Sequence, residues 1–99
     1  MRLTPAQRQS ILQCVRQQFG PQAQVSVYGS RVDDAARGGD VDLLVETDTR
    51  ATVRQRALAT LHLEQALQLP VDLLVVQRGD DASAFARMAR SRAQPLEAA

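Results

Sequence analysis

The chain carries the segments VSVYGS at positions 25–30 and DVDLLV at positions 40–45. Side chains on a strand alternate with period two, so Asp40 and Asp42 are expected on the same face of one strand. Two neighbouring carboxylates repel each other and are costly to desolvate unless a cation or hydrogen-bond donors hold them. A divalent metal ion with phosphate oxygens as further ligands meets that need. The two segments therefore predict a phosphate-handling loop that begins at Gly29-Ser30, followed by a metal-binding strand.

Helix signals flank these strands. Thr4-Pro5 predicts the capped start of a first helix, and Gly20-Pro21 predicts its end. A second helix is expected over about 50–67, capped by Thr47 or Thr49. Its expected buried stripe consists of Val53, Ala57, Leu58, Leu61 and Leu67.

The remaining pattern completes the predicted fold. Strands are expected at 24–28, 40–46 and 71–76, and a last helix after Gly79 should turn Phe85, Met88 and Ala89 inward. The tail 94–99 is expected to be frayed or bound to a partner. This order predicts an α/β (α+β) fold, with a small mixed sheet of three to four strands and helices packed mainly on one face.

The composition sets limits on the class of protein. A length of 99 residues predicts a single domain over 1–99. Apolar residues at 44% and charged residues at 23% are ordinary for a globular protein. The net charge of +1 argues against a domain whose main role is to coat nucleic acid. All 12 basic residues are Arg, so Arg is the only side-chain cation available to phosphate.

The chain has one cysteine, Cys14, and one histidine, His62. This excludes an internal disulfide and a Cys/His zinc cluster, and it fits a reducing compartment. Cys14 is expected to be a packed, inert thiol and His62 a surface residue. The N-terminus has no apolar signal-peptide core, and no apolar stretch approaches the roughly 20 residues that a membrane helix needs. We therefore expect a cytoplasmic protein.

Three elements in order resemble the signature of the polymerase-beta-type nucleotidyltransferase superfamily. They are YGSR at 28–31, DVDLLV at 40–45 and LPVDLLVV at 69–76, and they are most similar to the small branch of minimal nucleotidyltransferases (MNT). Three departures concern the loop. VDD at 32–34 stands where the family usually reads Ala-Arg-Gly, Gly39 stands where Ser is common, and the spacer is about one residue shorter than the common form.

The resemblance implies that Asp40, Asp42 and Asp72 form a catalytic and metal-binding carboxylate triad. Asp40 and Asp42 would hold one or two Mg²⁺ ions, while Asp72 would share the second ion and accept the proton of an attacking hydroxyl. Solvated acids at strand ends are the alternative interpretation, since an isolated Asp-x-Asp is common. The apolar strands around each Asp favour the metal site.

The loop residues Gly29, Ser30 and Arg31 are the predicted nucleotide-binding group. Gly29 would let the backbone approach a phosphate, and Ser30 could donate its N–H and hydroxyl. Arg31 would clamp the β- and γ-phosphates, with Arg37 as a second candidate. The alternatives are a plain turn and an Arg31 held by Asp33-Asp34.

The resemblance implies a Mg²⁺-dependent nucleotidyltransferase that moves NMP, with AMP from ATP as the first candidate, to a hydroxyl acceptor. A chain this small leaves little room for an acceptor site, so the acceptor should arrive on another chain. Minimal nucleotidyltransferases often pair with a HEPN-domain ribonuclease toxin, and some act as antitoxins by adding AMP to a Tyr of that partner.

Two other functions stay open at this point. A non-catalytic antitoxin or regulatory subunit would mask its partner without consuming ATP. An enzyme acting on a small molecule is the third hypothesis, although that branch usually carries an additional helical domain. A homo-oligomer is compatible with the sequence, whereas membrane insertion and direct nucleic-acid binding are not expected.

Overall fold

The computed structural model describes residues 3–28, 40–79, 87–88, 91 and 93–96. These residues form two α-helices and one four-stranded sheet. In chain order the elements are α1 (Pro5–Phe19), β1 (Gln24–Tyr28), β2 (Val41–Thr47), α2 (Val53–Leu67), β3 (Val71–Gln77) and β4 (Gln94–Pro95).

Both helices begin at a capping box. The hydroxyl of Thr4 accepts the N–H of Gln7 at 3.1 Å, and the side chain of Gln7 accepts the N–H of Thr4 at 2.9 Å. Thr52 and Gln55 repeat the arrangement at the start of α2. These reciprocal bonds satisfy donors that have no partner within the helix. The predicted cap at Thr4 is confirmed, whereas α2 is capped by Thr52 and not by an earlier threonine.

The sheet is mixed, as predicted. Its strand order is β3-β2-β1-β4, with β1 antiparallel to β2 and β2 parallel to β3. A parallel pair needs a crossover connection, which α2 supplies between β2 and β3.

The tail is the first correction. Gln94–Pro95 pairs antiparallel with β1, and the N–H of Leu96 donates to the carbonyl of Val25 at 3.0 Å. The side chain of Leu96 is 2% exposed and belongs to the main core. Residues 94–96 are therefore part of the fold and not a frayed end, because a buried leucine holds them.

The main core lies between the two helices and one face of the sheet. It includes Ile11 and Val15 from α1 and Leu63 and Leu67 from α2. The sheet contributes alternate residues of its strands, among them Val25, Val27, Val41, Leu43 and Val45. Their shared parity places them on one face, so the helices cover that face as predicted.

The buried stripe of α2 is the second correction. Ala59, Leu63 and Leu67 are its buried residues, spaced by four positions along one helical face. Val53 is 72% exposed and Leu61 is 50% exposed, so of the stripe predicted from sequence only Leu67 is fully buried. Apolar residues occur on several faces of this helix, and its packing against the sheet decides which face is covered.

The last predicted helix falls mostly outside the described residues, including Phe85 and Ala89. Met88 is described and is 44% exposed, so it does not pack inward as predicted. In the described part of the chain, no helix is long and apolar enough to cross a membrane.

Candidate active site

The sheet face opposite the helices carries the acidic residues. Register pairs of alternate residues define this face, beginning with Tyr28 opposite Asp42 and Asp42 opposite Asp72. Tyr28 and Leu44 are buried here, and Leu74 packs against them. The face therefore combines a small apolar patch with carboxylates at one end.

Tyr28, Asp42 and Asp72 form one row across three adjacent strands. Asp42 has Tyr28 as its antiparallel partner on β1 and Asp72 as its parallel partner on β3. Neighbouring strands lie about 4.8 Å apart, so these side chains are immediate neighbours on one face. Asp40 is exposed and lies two positions before Asp42, just ahead of β2 and not within that strand as predicted. The fold thus brings the three predicted carboxylates to the same end of the sheet.

Burial and mutual repulsion both act on the ionisable groups of this row. The pKa of Asp42 is raised by burial and then by the negative charges of Asp72 and Asp40. Burial, followed by the charges of Asp72 and Asp42, raises the pKa of Tyr28 to about 12. Each effect disfavours further negative charge at this position. A cation bound beside Asp42 and Asp72 would offset the repulsion between their negative charges and reduce its effect on Tyr28.

The donor set fits a hard divalent cation, because all three predicted ligands are carboxylates. The fit is incomplete in one respect. Within residues 3–28 and 40–79 and the short described segments near the C-terminus, no three His, Cys, Asp or Glu side chains are grouped so as to hold a metal ion. Any metal ion bound by this row would need other oxygen ligands besides the aspartates. The metal role of Asp40, Asp42 and Asp72 stays a prediction.

The predicted nucleotide-binding residues Gly29, Ser30 and Arg31 lie outside the described residues, as does Arg37. Gly29 follows Tyr28 directly in the chain. Tyr28, the last residue of β1, lies at the carboxylate end of the sheet, and the phosphate-binding role of Gly29, Ser30 and Arg31 stays a prediction.

Two hydrogen bonds hold the start of β3, one to the start of β2 and one to a side chain of α2. The N–H of Val41 donates to the carbonyl of Pro70 at 2.9 Å, and the N–H of Val71 donates to Oε2 of Glu64 at 2.9 Å. The sequence patterns placed Tyr28 in the YGSR element but predicted no role for it, and they did not single out Glu64. The position of Tyr28 directly before Gly29-Ser30 could have marked it as a site residue, whereas no local sequence pattern marks Glu64.

The only cysteine and the only histidine of the sequence take no part in the site. Cys14 is buried in the main core, burial raises the pKa of its thiol, and its Sγ lies 3.8 Å from the carbonyl oxygen of Ala59. A neutral, buried thiol is a poor nucleophile, as expected from sequence. His62 is exposed on α2.

A cavity of about 350 Å³ lies at the far end of β3. It is lined by Arg50, Ala51 and Arg56 before and within α2, and by Val75–Gln77. Asp72 lies at the other end of the same strand, so this cavity is separate from the carboxylate row.

Comparison with known proteins identifies the family. The family model described as a nucleotidyltransferase domain matches residues 8–93, and no curated protein matches the chain. The fold is similar to that in the solved complex of a tri-AMPylated Shewanella oneidensis HEPN toxin with MNT antitoxin. That match has a TM-score of 0.70 and 19% identity over 91% of this chain and 68% of the other.

A second solved structure, a mutant of the toxin–antitoxin MntA-HpeT, matches with a TM-score of 0.73 and 18% identity. The match covers 90% of this chain and 70% of the other. At these identities the likeness establishes the fold, while the family model spans most of the sequence. The chain belongs to the nucleotidyltransferase domain family.

Proposed function

We propose that this chain is a Mg²⁺-dependent adenylyltransferase of the minimal type, which moves AMP from ATP to a tyrosine hydroxyl of a HEPN-type toxin. The observation that carries the proposal is the register that sets Asp42 directly beside Asp72, with Asp40 at the same end of the sheet. This geometry has the charge and the oxygen donors that phosphoryl chemistry requires.

Asp40 and Asp42 would hold the metal, with Asp72 as a shared ligand and phosphate oxygens completing the coordination. The bound Mg²⁺ would neutralise charge on the α-phosphate and orient the triphosphate for in-line displacement. Gly29, Ser30 and Arg31 would bind the β- and γ-phosphates through backbone N–H, hydroxyl and guanidinium groups.

Asp72 would act as the general base. Its side chain is exposed on β3, so an acceptor from another chain can reach it. The acceptor oxygen forms a bond to the α-phosphorus, and the bond between that phosphorus and the bridging oxygen breaks. Pyrophosphate then leaves, and the proton of the hydroxyl passes to Asp72.

The solved complexes support a toxin as the acceptor. One of them is named as a tri-AMPylated HEPN toxin with MNT antitoxin, and the other as a toxin–antitoxin pair. The similarity in fold makes a HEPN-type protein the first partner to test with this chain.

The test mixes this protein with its cognate HEPN toxin, ATP and Mg²⁺, and intact-mass and peptide spectrometry follow the toxin. We expect additions of one AMP or a multiple of it on tyrosine. Asp42→Asn should abolish them. Asp48→Asn should not, since Asp48 is an exposed aspartate just past the opposite end of β2.

The same experiment separates enzyme from binder. A covalent mark outlasts the complex, so the toxin should stay inactive after this protein is removed. An unmodified toxin that regains full activity on separation would instead establish the non-catalytic antitoxin.

A further inference from the structure

Glu64 accepts hydrogen bonds from both ends of the connection between α2 and β3. Its backbone carbonyl accepts the N–H of Gln68, the residue that caps α2 in a left-handed conformation with φ of 57°. Its side-chain Oε2 accepts the N–H of Val71, the first residue of β3, at 2.9 Å. One residue of the helix therefore fixes where the following strand begins.

The peptide unit between Pro70 and Val71 is held on both of its edges. A trans peptide directs its C=O and its N–H to opposite sides. The carbonyl of Pro70 accepts from Val41 on β2, and the N–H of Val71 on the other side donates to Glu64. Within the described residues, β3 has a strand neighbour on one side only, so a side chain takes the place of a second strand here.

This peptide unit immediately precedes Asp72, and its partner Val41 immediately precedes Asp42. The two hydrogen bonds therefore act on the residues next to both carboxylates and hold the register in which Asp42 lies opposite Asp72. Val71 is only 9% exposed, so its hydrogen bond to Glu64 forms in a largely buried setting, and loss of the carboxylate would leave this N–H without its partner. The contact is charge-assisted, which makes it stronger than a neutral hydrogen bond.

We infer that Glu64 is a positioning residue: its carboxylate holds the Pro70–Val71 peptide and thereby sets Asp72 beside Asp42. This inference rests on the proposed function in so far as Asp72 is the general base. Glu64 itself touches neither substrate nor metal. Its effect reaches the reaction through the backbone of β3.

Three substitutions of Glu64 separate the effect of side-chain length from the effect of the negative charge. Glu64→Gln keeps the side-chain length and an acceptor oxygen but removes the charge. Glu64→Asp keeps the charge but shortens the side chain, which withdraws the acceptor by about 1.5 Å. Glu64→Ala removes the charge and the acceptor. Gln65→Ala is the matched control, because Gln65 is the exposed neighbour on the same helix. If Glu64→Ala fails to fold, the comparison of Glu64→Gln with Glu64→Asp still shows whether the position of the acceptor oxygen matters.

The first measurement is amide hydrogen exchange at Val71 by NMR, without nucleotide or metal. Exchange should be slow in the parent, in Gln65→Ala and in Glu64→Gln, and about tenfold faster or more in the Asp and Ala variants. The carboxyl signal of Asp72 should shift in the same two variants. Unchanged exchange at Val71 would overturn the inference, whatever the protein catalyses.

The second measurement is AMP transfer to the toxin. The Asp and Ala variants should lose about tenfold to a hundredfold in kcat, because small misplacements of a reacting group have effects of that size. KM for ATP should change little, and the Gln variant should approach the parent. Faster exchange with an unshifted Asp72 signal and an unaltered kcat would refute positioning. If the parent transfers no AMP, the proposed function fails, and the Asp72 signal alone then decides whether Glu64 places that residue.

Discussion

Replacing Asp42 with Asn should stabilise the protein when no metal is present. Asp42 lies between Asp40 on its own chain segment and Asp72 on the neighbouring strand, and its pKa is raised by burial and further by the charges of Asp72 and Asp40. Asn keeps the shape and removes the charge. The unfolding free energy at neutral pH should therefore rise.

The size of the effect follows from the spacing of the strands. Two unit charges about 5 Å apart repel each other by about 0.8 kcal/mol in water and by about 3 kcal/mol at an effective dielectric constant of 20. Asp72 is exposed and Asp42 is half-buried, so solvent screening places the effect near the low end. We expect about 1 kcal/mol, or a rise in Tm of about 5 °C for a domain of this size.

The dependence on pH has a definite sign. The folded state raises the pKa of Asp42 above its ordinary value of 3.8, so folding favours the protonated form. The parent is penalised as pH rises through the folded pKa and is not penalised below 3.8. The advantage of Asp42→Asn should therefore be full at neutral pH and vanish in acid.

The assay is thermal and urea unfolding at low ionic strength, with and without Mg²⁺. Asp48→Asn is the control, because its carboxylate pairs with Arg78 at 2.5 Å and its loss should leave stability unchanged or lower it by up to about 1 kcal/mol. Added Mg²⁺ should stabilise the parent and not Asp42→Asn. Equal or lower stability of Asp42→Asn in the absence of metal would refute the idea of a repulsive carboxylate row.

Three further predictions test the loop, the carboxylate row and the core. Ser30→Ala should weaken nucleotide binding by about 1–3 kcal/mol in calorimetry with the fold intact, and equal affinity would make the loop a plain turn. Tyr28 is the only tyrosine, so the tyrosinate absorbance should titrate near pH 12, and the free energy of unfolding should fall as the pH rises from 10 towards that value. Asp42→Asn should lower the pKa of Tyr28, and a midpoint near pH 10 in the parent would contradict a buried tyrosine beside the carboxylates. Leu63→Ala should cost about 2–5 kcal/mol in urea unfolding because Leu63 is fully buried, whereas Leu61→Ala, at a half-exposed site, should change stability by less than about 0.5 kcal/mol.

The local sequence determined the start of the first helix and the first three strands. The first strand was predicted at 24–28 as observed, and the next two were predicted within one residue of Val41–Thr47 and Val71–Gln77. Alternation along a strand also predicts that Asp40 and Asp42 share a face. These features depend on neighbouring residues, so period and capping chemistry are enough to predict them.

Only the tertiary structure decided which distant residues meet. The pairing of Asp42 with Tyr28 and with Asp72 depends on strand register, which no single strand contains. Glu64 becomes significant only once α2 returns the chain beside β2. Packing against the sheet likewise decides which face of α2 is buried and that Leu96 lies in the core. Apolar residues on several faces of one helix satisfy the local pattern equally well, and packing against the rest of the chain selects among them.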